Sequence, residues 1–529
     1  MSVLSFLAEP SFILLVLAGC VAGLLVGALP GLSVTMATAL LVSVTYAWRT
    51  NDAIALIMGV YVIGVFSGAL SAILLNIPGA PSSVITTLDG HPMARKGEGA
   101  RAIRIAAVWS FFGSVVGFAF LAALARPVTA LALAFKPMDY FLLSLFGLLS
   151  IGILTAKDSA RGWISAVIGL LLSLVGMDSV AGYPRLTFGI RALRSGIGIV
   201  PALIGLFGFA RVLSLLREEI GARRGKAESV ADTDVAATQT AERAQTDVTT
   251  DGEKTQKTNE AEQTESGKST GGLIRGWRTG LPSALVGTAV GALPGAGTPV
   301  ASLVAYGLAK RFVKAPSAPF GEGAEEGIAA SEAANNAVVG GALIPTLTLG
   351  IPGDAVTAIL LAVFTLHGLE PGPLFLERSP DAFRAILAAG LLACVFLLPI
   401  GLWIGPRTAR ILKIPRAVLI PLVAVLCLVG AYGTEKRLSD VVLMVLLGAF
   451  GYLLERRGFP TAPVTLGLVL GNLMDANFRR ALSLASSADS PLLALFGRPI
   501  TLILLAAIAI LLIRQSCNSK KRPSERTMK

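Results

Sequence analysis

Apolar runs of bilayer-crossing dimensions recur from one end of this chain to the other: Ser11–Leu29, Ala53–Leu75, Ile105–Ala125, Ile386–Gly405 and Ile500–Ile513. About 20 helical residues cross roughly 30 Å of hydrocarbon, and several of these runs approach that length. In lipid only helices and closed barrels satisfy their own backbone, and barrel strands are alternating segments of about ten residues. Uninterrupted apolar runs exclude the barrel. The fold class is therefore an all-α polytopic membrane protein. Composition agrees, because 54% hydrophobic against 15% charged residues over 529 positions leaves too little polar surface for a soluble chain of this length.

The same sequence excludes several chemistries. Four cysteines, Cys20, Cys394, Cys427 and Cys517, form no CxxC pair, and the first three lie in apolar runs where Cys acts as a small hydrophobe. With His91 and His367 as the only two histidines, neither a His-based metal site nor a Ser/His/Asp hydrolase is expected. No GxxxxGK[ST] loop is present, so the chain is no ATP-driven motor by itself. Leu17-Ala18-Gly19-Cys20 looks like a lipoprotein processing box, but the residues before it include Glu9 and no Lys or Arg, so a signal peptide is not expected.

The largest shift in composition falls at residues 228–270, which lack Leu, Ile, Phe, Trp, Tyr and Met and hold ten acidic residues against four basic ones. Such a segment cannot build a core and reads as a disordered, acidic, Thr-rich linker. It divides the chain into an N-terminal membrane half (1–227), a C-terminal membrane half (271–513) and a basic tail (514–529). Deleting Asp232–Glu265 should leave activity nearly unchanged while the halves still assemble; lost activity at normal membrane abundance would contradict a tether role. The net charge of +12 clusters at the ends of apolar runs, at Arg95, Lys96, Arg101 and Arg104, at Lys310, Arg311 and Lys314, and at Arg407, Arg410, Lys413 and Arg416. Positive-inside bias beside anionic lipid accounts for these clusters. Without interleaved aromatics they make no nucleic-acid platform.

The two halves resemble each other. Gly27-Ala28-Leu29-Pro30-Gly31 recurs as Gly291-Ala292-Leu293-Pro294-Gly295, and Gly68-Ala69-Leu70 before Ile77-Pro78-Gly79 is matched by Gly341-Ala342-Leu343 before Ile351-Pro352-Gly353. A Pro-Gly pair removes an amide donor and frees the backbone, so each breaks its helix. In a bilayer such breaks survive only where they are buried in protein or line a polar cavity, and two per half in corresponding places point to a transporter site built from half-helices. The free N–H groups there suit a carboxylate without a buried cation. The expected substrate-binding residues are Pro30, Gly31, Ser33, Thr35, Asn76, Pro78, Gly79, Ser82, Ser83, Pro294, Gly295, Gly297, Thr298, Pro352 and Gly353, with Thr86 and Thr87 as further hydroxyls beside them. The N-terminus, with Glu9 and no basic residue, reads as outside, whereas Arg275 and Arg278 before the second half's first break read as inside. The halves are thus expected to be inverted repeats with re-entrant broken helices. The small-xxx-small pairs Gly23/Gly27, Gly64/Gly68, Gly113/Gly117 and Gly287/Gly291 read as close helix packing.

Ten extra residues in the second half fall near Phe320–Asn336. At helical spacing Glu325, Glu332 and Asn336 share one face, and Glu322 and Glu326 share another. The second pair reads as solvated on an amphipathic surface helix. Glu332, Asn335, Asn336 and Asp354 are the candidates for holding a coupling ion, Na⁺ or H⁺, with no other cofactor.

Taken together, the stretches GALPGLSVTMATALL, YVIGVFSGALSAILLNIPGAPSSVITTLDGHPMARKGEGARA and FGEGAEEGIAASEAANNAVVGGALIPTLTLGIPGDAVTAILL, followed by PGPLF, resemble the large membrane subunit, TctA, of the tripartite tricarboxylate transporters. The resemblance runs roughly from Ser11 to Arg480; the long linker and basic tail are particular to this chain. It implies a multi-pass protein of the bacterial inner membrane that is not an enzyme. It also implies ion-gradient-driven uptake of a carboxylate delivered by an extracytoplasmic solute-binding protein (TctC-like), with a small membrane subunit (TctB-like) as partner. The alternatives are an intramembrane enzyme or lipid-processing protein using the Glu325/Glu332 face, and a channel.

Overall fold

The computed structural model describes residues 3–29, 32–154, 159–178, 182–221, 276–295, 297–408 and 416–520. The linker at 228–270 and the end of the basic tail lie outside them. Among the described residues the chain is helical apart from one two-residue strand pair. The first half runs α1 (Pro10–Ala28), α2 (Val34–Thr45), α3 (Thr50–Leu75), α4 (Ser83–Arg95), α5 (Gly99–Leu133), α6 (Pro137–Leu154), α7 (Ser159–Ser173) and α8 (Ile199–Gly221). The second runs α9 (Trp277–Gly291), α10 (Gly297–Phe312), α11 (Glu325–Leu349), α12 (Ala355–Leu366), α13 (Pro380–Thr408), α14 (Arg416–Glu435), α15 (Leu438–Arg456), α16 (Thr461–Ser486) and α17 (Pro499–Lys520). The last helix continues to Lys520, into the segment read as tail.

The repeat seen in the sequence is a repeat of elements. In each half a helix, a Pro-Gly break and a short helix are followed by a long buried helix, a second break, another short helix and a long span. The short members α2, α4, α10 and α12 have 12, 13, 16 and 12 residues. At about 1.5 Å per residue, 12 residues cover roughly 18 Å, little more than half the hydrocarbon thickness. Among the described residues six helices are long and apolar enough to cross a membrane, among them α1, α3, α5 and α13.

Glycine lets the first helix of each half approach the third. A Cβ on Gly23 of α1 would fall 2.7 Å from the Val60 carbonyl oxygen of α3, and one on Gly291 of α9 would fall 2.9 Å from that of Val338 on α11. Backbones this close replace the hydrophobic drive that lipid does not supply. The central helices α3 and α11 are buried along nearly their whole length. α11 packs most extensively on α5 of the other half, so one core cluster joins the halves through Tyr61, Phe66, Trp109, Phe118, Leu343 and Phe364.

The expectation that Glu322 and Glu326 share one helix face needs correction. Gly321 and Gly323 have φ of 96° and 112°, a region closed to most L-residues, and the helix starts only at Glu325. Glu322 is exposed, as expected. Glu326 is not solvated: it is buried, and its carboxylate accepts from the Ser317 amide at 2.9 Å and the Ser317 hydroxyl at 2.8 Å.

Candidate functional site

In the second half the two breaks meet. The Gly295 N–H donates to the Gly353 carbonyl at 2.9 Å, and Gly295 and Gly297 adopt φ of 84° and 66°. Pro294, Gly295, Pro352 and Gly353 are buried, and α6 of the first half braces them, with Gly147 set against Pro294. Asp354 caps α12: its Oδ1 accepts from the Thr357 amide (2.8 Å) and hydroxyl (2.9 Å), while the Asp354 amide donates back to Thr357 Oγ1 (2.9 Å). The other carboxylate oxygen accepts from the Tyr61 hydroxyl at 2.8 Å, tying this break to α3. Thr298 is half-buried at the start of α10.

Pro30 and Gly31 lie outside the described residues. Around them Ser33 caps α2 by accepting from the Met36 amide at 3.1 Å, and Thr35 is half-buried in the first turn. At the second break Asn76 closes α3 in the left-handed conformation, φ 56°, as Gly350 does for α11 at φ 69°. The Gly79 N–H donates to the Gly68 carbonyl at 3.3 Å. A Cβ on Gly79 would lie 2.9 Å from Gly68 Cα, so this break also sits against its own long helix. Pro78 is half-buried, and Ser82 and Ser83 are buried, the Ser83 hydroxyl without a partner. Thr87 bonds back to the Val84 carbonyl on the exposed helix surface. The corresponding breaks differ in access: Ile77 is 50% exposed and Ile351 is 0%.

A second constellation lies on α11. The fully buried Glu332 carboxylate accepts a short hydrogen bond from Thr86 of α4 and another from Ser110 of α5 at 3.2 Å, with no cationic partner among the described residues. One turn on, the Asn335 and Asn336 amides donate to the Val65 and Val62 carbonyls of α3 at 3.3 and 3.2 Å, and Asn336 also to Ser114 at 3.0 Å. Their side-chain carbonyl oxygens remain buried without partners. The predicted face is therefore present, but it packs along α5: Glu325 pairs with Arg101 at 2.7 Å, Glu332 with Ser110 and Asn336 with Ser114. An uncompensated carboxylate and orphaned acceptors in a membrane core can take up a proton or a desolvated cation.

Sequence reasoning missed Asp89. Its Oδ1 accepts from the amides of Gly321, Gly323 and Ala324 at 2.7, 3.0 and 2.9 Å, so the second half's extra loop is folded around a first-half carboxylate. The Gly-Glu-Gly-Ala run, whose left-handed glycines turn three of its four amides toward one acceptor, was the available signal. Asp89→Ala leaves three donors unmet, each at about 1–3 kcal/mol if it stays buried. The unfolding temperature of the purified protein in detergent should fall well below that of Asp89→Asn, which keeps an acceptor. Equal values for the two variants would contradict the clasp.

A helical membrane protein of two repeats, each broken twice, with an unpaired carboxylate buried among hydroxyls, has the makeup of a membrane transporter. The chain belongs to the tripartite tricarboxylate transporter TctA family, whose profile matches residues 13–466. It is 35% identical over 518 residues, 95% of this chain and 93% of the relative, to an uncharacterized 52.8 kDa protein in the TAR-I ttuC' 3'region of Agrobacterium vitis. A second relative, an uncharacterized protein in the TAR-II ttuC' 3'region of the same organism, is 39% identical over 201 residues, covering 37% of this chain and 81% of the relative. No solved structure matches the chain.

Proposed function

We propose that this chain is the large membrane subunit of a tripartite transporter of the bacterial inner membrane, taking up a carboxylate with Na⁺ or H⁺ as coupling ion. It receives the substrate from an extracytoplasmic solute-binding protein and works beside a small membrane subunit. The observation that carries this reading is the meeting of the Pro294-Gly295 and Pro352-Gly353 breaks through the Gly295–Gly353 hydrogen bond. Breaks held together in the core present helix N-termini and freed amides where a multiply charged carboxylate would otherwise face hydrocarbon. The Thr298 hydroxyl stands at the start of α10, and those of Ser33 and Thr35 stand at the corresponding start of α2. Glu332, with Thr86, Ser110 and the free acceptors of Asn335 and Asn336, is the coupling-ion site; Asp354, occupied with capping α12, serves the break. The close packing of the Glu325/Glu332 face on α5 weighs against an enzyme cleft there.

Inverted topology of the halves is part of the proposal, supported by the contacts between distant segments. With basic helix ends inside, Lys96 meets the Glu322 carbonyl at 2.7 Å, Arg101 meets Glu325 and Arg161 meets the Arg457 carbonyl at 3.0 Å, all on one side. On the other side Arg498 meets Asp139 at 2.6 Å and Arg185 meets Asp475 at 2.9 Å. Crossings counted from either set agree with the proposed N-terminus outside and start of α9 inside. Impermeant thiol reagents should therefore label single cysteines at Ser2 and Ser269 from opposite sides; labelling from the same side would contradict inversion. For the function itself, cells should accumulate a labelled di- or tricarboxylate only when this chain, the small subunit and the binding protein are all present. Turnover of a substrate by the purified chain alone would instead favour the enzyme.

A further inference from the structure

Between the outer ends of α9 and α10, the two arms that flank the Pro294-Gly295 break, lies a cavity of about 600 Å³. Its polarity changes with depth. Arg278 at the start of α9 and Lys314 just past the end of α10 are exposed charges in its lining, and Glu326, buried at the start of α11, adds a carboxylate. Val286 lies about two turns further along α9, about 12 Å deeper than Arg278, and Leu308 lines the cavity from α10. The charged end is flanked by Trp277, 55% exposed and stacked 5.3 Å from the Arg278 guanidinium, and by Phe312, 68% exposed. Exposed aromatics beside basic helix ends settle at the headgroup level of a bilayer.

We propose that this cavity binds one phospholipid whose headgroup carries an ammonium as well as a phosphate, a phosphatidylethanolamine of the inner leaflet. Arg278 and Lys314 hold the phosphate, Glu326 holds the ammonium, and acyl carbons lie against Val286 and Leu308. The inner leaflet follows from the orientation proposed above; the carboxylate substrate plays no part. A soluble anion would leave the apolar depth unfilled. An acidic lipid without an amine would bring its charge against the Glu326 carboxylate. Both hydrogen bonds that Glu326 accepts from Ser317 end on Oε2, which leaves Oε1 for an ammonium. A transmembrane helix of another subunit is too thick, since about 12 Å of helix about 10 Å across displaces about 900 Å³, more than the whole cavity. The volume instead falls in the range of small-molecule sites.

The test is native mass spectrometry of the purified full chain in detergent. It is titrated separately with dioleoylphosphatidylethanolamine, dioleoylphosphatidylglycerol and glycerophosphoethanolamine, the headgroup without its chains. The chain should retain one phosphatidylethanolamine about tenfold more tightly than phosphatidylglycerol, the worth of one hydrogen bond to a charged group. It should retain no glycerophosphoethanolamine at the same concentrations. Equal affinity for the two lipids removes the ammonium from the site, and a free headgroup held as tightly as the lipid marks a soluble ligand; either result overturns the proposal. R278A/K314A alters only exposed side chains and should weaken retention of both lipids about tenfold or more. Glu326→Gln keeps an acceptor for Ser317 and should level the two lipids while phosphatidylglycerol is held at least as tightly as before, a change of preference that lost packing does not produce. Unchanged retention in R278A/K314A, or an unchanged preference in Glu326→Gln, places the lipid elsewhere on the helices and overturns the site.

Discussion

Glu332→Gln should abolish coupled accumulation while the protein reaches the membrane in normal amounts. Glutamine keeps the volume of the side chain, and its amide can accept from one of the two hydroxyls, Thr86 or Ser110, while donating to the other, so the packing of α11 on α4 and α5 survives. What it cannot do is carry a negative charge or exchange a proton. If Glu332 supplies the differential affinity by which ion and substrate bind together, a coupling energy of about 3 kcal/mol is lost, and the ion's effect on apparent substrate affinity falls by roughly 100-fold. Glu325→Gln is the control on the same helix face: its carboxylate is partly exposed and paired with Arg101, so coupling should persist. The assay is initial uptake rate against Na⁺ concentration and against pH for both variants. Equal ion dependence in Glu332→Gln and the unmodified chain would make Glu332 a structural residue.

Gly353→Val should have the largest effect on the folded protein. A Cβ at this position would lie 2.6 Å from Ala342 Cα and 2.8 Å from the Gly291 carbonyl oxygen, both backbone atoms that cannot step aside. Accommodating valine means pushing the second break away from α9 and α11, which also removes the Gly295–Gly353 hydrogen bond. Overpacking against side chains costs about 1–3 kcal/mol, and a clash with two rigid helices exceeds that range. Little Gly353→Val protein should survive detergent extraction as a monodisperse species. Gly307→Val, at a helix position with open space around it, should behave as the unmodified chain does. Comparable yield and elution profile for the two variants would show that the breaks are not packed as described.

The breaks were legible because proline and glycine act locally: a lost amide and a left-handed residue interrupt a helix whatever surrounds it. The repeat was legible for the same reason, since both halves spend the same rare dipeptides in the same order. Helical periodicity also put Glu325, Glu332 and Asn336 on one face, and they do share one. Periodicity carries no information about what that face meets, so the change from an ion pair with Arg101 to an unpaired carboxylate seven residues later could not be read. Glu326 was misassigned because its fate depends on Ser317, held near it by a loop whose path two left-handed glycines decide. Asp89 and Tyr61 were missed because each acts on residues more than 230 positions away, across the two halves. Asp354 stood out as an acid after a Pro-Gly break, yet the same position makes it a helix cap, and only the Thr357 and Tyr61 contacts reveal how fully its oxygens are engaged.

The most direct test of a coupled carboxylate transporter is accumulation in proteoliposomes holding only this chain and its small subunit, with the solute-binding protein and a labelled tricarboxylate added outside. An inward Na⁺ or H⁺ gradient should drive label well above its external concentration, and an ionophore that collapses the gradient should release it. Equilibration of label regardless of the gradient would mark a channel, and no entry under any gradient would contradict the account altogether.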